Sequence, residues 1–136
     1  MIRLLISLIA VAFISCSSPV RFIQIDETFQ PQEKISSEEI VFRRGRIERP
    51  HTVIGIIEAE LGKHARRPEL DALIVSKARE IGADGVMLVE YDIDRDVYIE
   101  HHHAVVGHGP WRRHIVGSHP RVEVRKTASA IAVVFN

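Results

Sequence analysis

The sequence predicts an α+β fold, with one principal helix packed on a mostly antiparallel sheet of four to five strands. Two observations lead to this. A single segment, residues 68–81, carries apolar residues at the three- and four-residue spacing of a helix face, and several β-branched runs surround it. The 136 residues are enough for one domain and not two.

The elements follow in chain order. Residues 40–44 read as a short strand, and Arg44, Gly45 and Arg46 as a turn. The folded domain is expected to span 40–136, with 16–39 as a polar tether and lead-in. Pro19 and Pro31 interrupt that lead-in. Within it, 21–25 has the composition of a short strand, and Ser36, Ser37, Glu38 and Glu39 that of a helical cap. Residues 51–59 contain Val53, Ile54, Ile56 and Ile57, a β-branched run that favours a strand. Gly55 inside it marks a bulge or a close approach of another element.

The helix opens on Pro68, which suits a first turn because its missing N–H has no partner there. Glu69 and Asp71 lie where the helix dipole favours acid. Leu70, Leu73, Ile74, Ala78 and Ile81 form its apolar stripe, and Gly82 supplies a left-handed stop. Residues 85–91 follow as a central strand, since Val86 to Val89 are apolar on both parities. Residues 128–135 close the chain, with Ala128, Ala130 and Ala132 alternating as if a neighbour came very close. Asp84 reads as a turn residue that binds nearby N–H groups, with a catalytic acid as the alternative.

The first fifteen residues have another character. Arg3 precedes an apolar run over 4–14, and Phe13, Ile14 and Ser15 lead into Cys16, the only cysteine. This run is short of the roughly 20 residues a spanning helix needs. It resembles a bacterial lipoprotein signal, in which the thiol is acylated and the leader cut before it. An ordinary signal peptide and a buried core helix are the other readings. A sole cysteine has no disulfide partner within the chain, which favours a lipidation site. The resemblance implies 1–15 as signal peptide, Cys16 as the lipid-bearing residue, and a place in the cell envelope. Ser17 in place of Asp points to the outer membrane, facing the periplasm, in a Gram-negative cell.

Removing 15 residues from 136 leaves 121, and Arg3 is the only charge lost, so 17 Lys and Arg face 18 Asp and Glu. That balance offers no net field for nucleic acid or anionic lipid. Nucleic acid is therefore not an expected partner.

Six of the eight histidines are His101, His102, His103, His108, His114 and His119. Imidazole binds zinc, copper and nickel, and a His-rich tract favours metal. His101 and His103 share a strand face, His114 or His119 could return from across a hairpin, and His108 from its tip. The candidate metal set is thus His101, His103, His108, His114 and His119, against a solvated hairpin or loop at 100–120 and against a pH response. Asp92, Asp94 and Asp96 begin like an EF-hand loop, but Val97 and His103 occupy the required Gly and Glu positions. On a strand these carboxylates form one charged face, with Ile93, Val97 and Ile99 on the other. Trp111, between Pro110 and Arg112, is either an exposed anchor or a plug for the hairpin tip.

Residues 49–55 with their Val-Ile-Gly element, then 78–86 with Gly82, Ala83 and Asp84, and the Ala-rich closing strand together resemble the YbjQ-like and RcsF-like envelope domains. The likeness covers roughly 40–135. It implies the same α+β fold and a stress-sensing or envelope-maintenance role, without an enzyme activity or a transferable ligand set. The disulfides of the RcsF-like branch have no counterpart here. The expected function is a membrane-anchored, non-enzymatic interaction module that contacts an envelope protein; the alternative is a metal-responsive lipoprotein. No nucleophile elbow, paired catalytic carboxylates or phosphate loop is visible.

Overall fold

The computed structural model describes residues 18–35 and 38–136. Cys16, the leader and Ser36–Ser37 lie outside the described residues. The fold is α+β: one helix and a five-stranded sheet. In chain order the elements are β1 (Val20–Gln24), β2 (Val41–Phe42), β3 (His51–Gly62), α1 (Arg67–Ile81), β4 (Gly85–Val106) and β5 (Arg113–Phe135), with a 3-10 turn at Gly109–Trp111 before β5. The sheet order is β1-β3-β5-β4-β2, antiparallel except for the short parallel pairing of β2 with β4.

The helix forms where the apolar spacing predicts it. Leu70, Ile74, Ala78 and Ile81 are buried, and Leu73 packs beside them. It starts at Arg67, one residue before Pro68, and the Glu69 carboxylate accepts the Arg66 N–H at 3.2 Å. Gly82 ends it at φ 84°. Beneath the stripe, Ala128, Ala130 and Ala132 of β5 are all buried, so the expected close neighbour is α1 itself. Ile54, Ile57, Ala59, Val86 and Val89 complete this core. A smaller cluster on the opposite face joins Ile47, Met87 and Val133.

The sheet begins at Val20, well before the expected domain start near Ile40. β1 pairs along β3 from Val20↔Ala59 to Gln24↔Gly55, and Val20 and Phe22 pack onto the main core. Part of the supposed tether is therefore an edge strand. After it, the Gln32 and Lys34 N–H groups bond to the Ile81 and Arg79 carbonyls at the end of α1. Gly55 sits at a β3 bulge, and a Cβ there would collide with the Ile23 carbonyl and the Phe22 ring. Both readings of Gly55 hold.

Asp84 binds more distant partners than a local turn would supply. It accepts the Phe135 N–H at 2.7 Å and pairs with the Lys34 ammonium. Burial pushes its carboxyl up, but the Lys34 and Phe135 hydrogen bonds outweigh this and hold it below the usual range.

One irregularity falls inside β4. Met87 pairs with Ile131 and Glu90 with Ser129, so β4 contains one extra residue. Leu88 lies there with φ 51°, its N–H bonded to the Gly45 carbonyl at 3.0 Å. The helix-facing residues of β4 run Val86, then Val89 and Tyr91.

Candidate functional site: the projecting β4–β5 arm

β4 and β5 are far longer than the body of the sheet. β3 ends at Gly62, opposite Arg125, and Arg125 is itself opposite Asp94. Beyond that point β4 and β5 continue alone, pairing without a break from Arg95↔Val124 to Val106↔Arg113. The tract at 100–120 is thus an extended hairpin and not a loop. At 3.3 Å per residue, this twelve-residue arm is about 40 Å long. Gly107, at φ 109°, permits its tip turn, where a Cβ would meet the Trp111 carbonyl. Trp111 is 81% exposed, so it does not plug the tip.

Strand pleating sorts the arm's side chains onto two faces. The face on the same side as α1 carries Ile93, Val97, Ile99 and Val105 from β4. On the same face β5 contributes Val116, Pro120, Val122 and Val124, with Val122 directly opposite Val97 and Pro120 opposite Ile99. Ile93, Val97, Ile99, Val105, Val116 and Val122 are each more than half exposed. The remaining residues on this face are Arg95, His101, His103, His114, Ser118 and Lys126. None is acidic. At the arm's base, Arg66, Arg67, Leu70, Tyr91 and Lys126 frame a notch around Ile93.

The other face holds the carboxylates. Arg125 bridges Asp96, Asp94 (3.7 Å) and Glu60 (3.1 Å). Further out, Arg121 donates to Glu100 at 2.9 Å and holds that carboxyl below its ordinary range. His119 stands 3.4 Å from Glu100, and its ring lies 5.3 Å from that of His102. Gly117, directly opposite His102, makes room for this pairing, since a Cβ there would strike the His102 ring. Asp92, Asp94 and Asp96 share this face as expected.

The five candidate metal residues do not converge. His101, His103 and His114 face the helix side, His119 faces the opposite side, and His108 lies in the tip turn. The reason is register: alternate residues on a strand point to opposite faces, and His114 opposes Val105 while His119 opposes Glu100. Among the described residues, no three His, Cys, Asp or Glu side chains are grouped to hold a metal ion. The His102–His119 pair includes His102, which the candidate set omits. Only the diagonal register and Gly117 bring the two together. Likewise no helix among the described residues is long and apolar enough to cross a membrane.

Compared with protein-family models, with curated proteins and with solved structures, the chain shows no match.

Proposed function

We propose that this chain is a lipid-anchored envelope protein whose folded domain is a non-enzymatic contact module, with the β4–β5 arm as the contacting element. The observation that carries this is the arm's helix-side face, which is free of carboxylates and bears Val97, Ile99, Val105, Val116 and Val122, each more than half exposed. Contiguous exposed apolar surface of this extent marks interaction sites in folded proteins. The lipoprotein-like leader and the lone Cys16 support the anchor, and the YbjQ-like and RcsF-like resemblance supports an envelope role. Outer-membrane attachment facing the periplasm is the location this reading implies. Labelling with radioactive palmitate tests the anchor: label on the chain, lost in Cys16→Ser, is expected. A chain that stays unlabelled sinks it.

The His102–His119 pair with Glu100 favours a second reading, a metal-responsive lipoprotein that takes up zinc, copper or nickel on the charged face. Calorimetric titration with each metal tests it. Binding weaker than about 10 μM, roughly −7 kcal/mol, ends that reading. His102→Ala and His119→Ala should each abolish binding, whereas His101→Ala should not.

A further inference from the structure

We infer that the helix-side face of the arm lies along the surface of an anionic phospholipid bilayer, with Trp111 as its interfacial anchor at the tip. This rests on the lipid-anchored reading above, and it assigns the occupant of the arm's apolar face. Three observations carry it.

The first is where the chain enters the fold. Val20 pairs with Ala59, and the Pro19 carbonyl accepts the Glu60 N–H at 2.8 Å. Glu60 lies two residues from Gly62, where the body ends and the arm departs. The N-terminus therefore enters at the end of the sheet from which the arm projects. Cys16 precedes Pro19 by three residues, a reach of at most about 11 Å. An acylated Cys16 keeps the arm's base within roughly 20 Å of the lipid, the sum of that reach and about three strand residues. An arm twice that long, leaving the body at the same end, comes to rest against the bilayer.

The second is charge. The net balance near zero conceals that the arm's carboxylates are confined to one face. Asp94, Asp96, Glu100 and Glu123 all face away from the helix side, where Arg113, Arg121 and Arg125 accompany them, while the helix side carries Arg95 and, at the base, Lys126 with no carboxylate. Each Lys or Arg near an anionic leaflet contributes about 1 kcal/mol. The same arrangement disfavours a second copy of this chain as occupant. Two such faces pressed together would appose like charges with no carboxylate between them.

The third is the pairing pattern, which sets the depth. Over Arg95–Val106 and Arg113–Val124 each strand has one partner only, so each has an open outer edge. Unpaired N–H and C=O groups are not tolerated in hydrocarbon. The arm thus rests in the headgroup region, where water and phosphate satisfy both edges, and only its valine and isoleucine side chains reach the acyl boundary. Tryptophan favours this zone.

Trp111 is the only tryptophan and Cys16 the only thiol, so the chain carries its own probe and its own coupling point. Every described strand and the helix begin at or after Val20, and a chain starting at Cys16 retains them all. That chain is coupled through its thiol to a maleimide lipid in vesicles of phosphatidylethanolamine and phosphatidylglycerol. The lipids carry bromine on the acyl chain near the headgroup. Trp111 emission should shift to the blue and fall about twofold or more, as for a ring at the interface. Arg95→Glu with Val97→Asp should restore the emission, with the circular dichroism of the body unchanged. Emission that bromine leaves untouched overturns the inference. So does emission that depends on protein concentration without vesicles, which identifies a second copy as the occupant. Because the coupling is chemical, this reads the arm whether or not cells acylate Cys16. Palmitate on Cys16 without quenching removes the arm's role and keeps the anchor; quenching without palmitate does the reverse.

Discussion

The body and the arm are built from the same two strands, yet different physics holds them. Over Gly85–Asp94 and Arg125–Phe135 the strands lie under α1, with β5 beside β3, and Val86, Val89, Ala128, Ala130 and Ala132 on their helix side are buried. Over Arg95–Val106 and Arg113–Val124 the same pleat continues with no layer above it. The helix side of β5 shows the change residue by residue. Ala132, Ala130 and Ala128 are small because a helix sits on them; Val122 and Val116 are larger and more than half exposed. In the body, hydrophobic burial carries stability. In the arm, main-chain pairing and cross-strand contacts remain, each of the latter adding only about 0.2–1 kcal/mol.

The sharpest way to test this contrast is to damage each half and compare. Ile74, on the inner face of α1, is fully buried, and Ile74→Ala should cost about 3–4 kcal/mol through lost burial and the cavity left behind. Urea unfolding followed by far-UV circular dichroism measures it. Next comes the clasp at the far end of the body. Asp84→Asn removes the carboxylate that holds Lys34 and the Phe135 N–H, and should cost about 2 kcal/mol.

That clasp also sets a pH response. The folded-state pKa of Asp84 is lowered, so its contribution is present above the unfolded value, 3.8 for an ordinary Asp. It is lost as pH falls through the lower folded value. Lys34 shifts the other way, chiefly through its bond to Asp84. Its contribution is complete below the ordinary 10.5 and lost as pH rises through the folded value. Stability measured against pH should therefore fall less steeply on the acid side in Asp84→Asn than in the native chain.

Smaller effects belong to the arm. Asp94 and Arg125 stand opposite each other, so joining them through an Asn-Gly turn excises 95–124 and leaves the body closed. The body should then unfold within about 1 kcal/mol of the intact chain, a loss confined to the exposed Arg125–Asp96 ion pair. A larger loss would mean that the arm supports the body, and the contrast would break. Val97→Ser should be smallest of all, under about 0.5 kcal/mol, because Val97 is 68% exposed. Thermal melting monitors both variants.

The two halves also differ in how far the sequence discloses them. The helix is legible because its stripe, its acidic first turn and Gly82 agree, and the alternating alanines announce the helix above them. The charged face of Asp92, Asp94 and Asp96 is legible for the same reason, since a strand period of two is readable locally. What escapes is whatever depends on pairing between distant segments. The strand at 21–25 is readable, but its pairing with β3 is not, so β1 passes for part of a tether. The length of β4 and β5 is hidden by consecutive histidines that carry no strand signal. The meeting of His102 with His119 follows from register and from Gly117, neither of which spacing along the chain reveals. Even the charge balance misleads, because a sum near zero says nothing of which face each charge occupies.

The extra residue at Leu88 has a reach beyond its own turn. From Val86, strict alternation would carry Leu88, Glu90, Asp92, Asp94 and Asp96 toward the helix side. The bulge advances β4 by one position, so Tyr91, Ile93, Val97 and Ile99 take that side instead. It acts as a phase shifter for everything downstream. Taking Leu88 into the regular ladder, with the bulge straightened, would turn over every β4 side chain of the arm while β5 stayed as it is. Aspartates would then oppose the valines of β5, and neither surface would be uniform. The polarity of a 40 Å hairpin is thus written by one residue near its root, far from the surface whose character it decides.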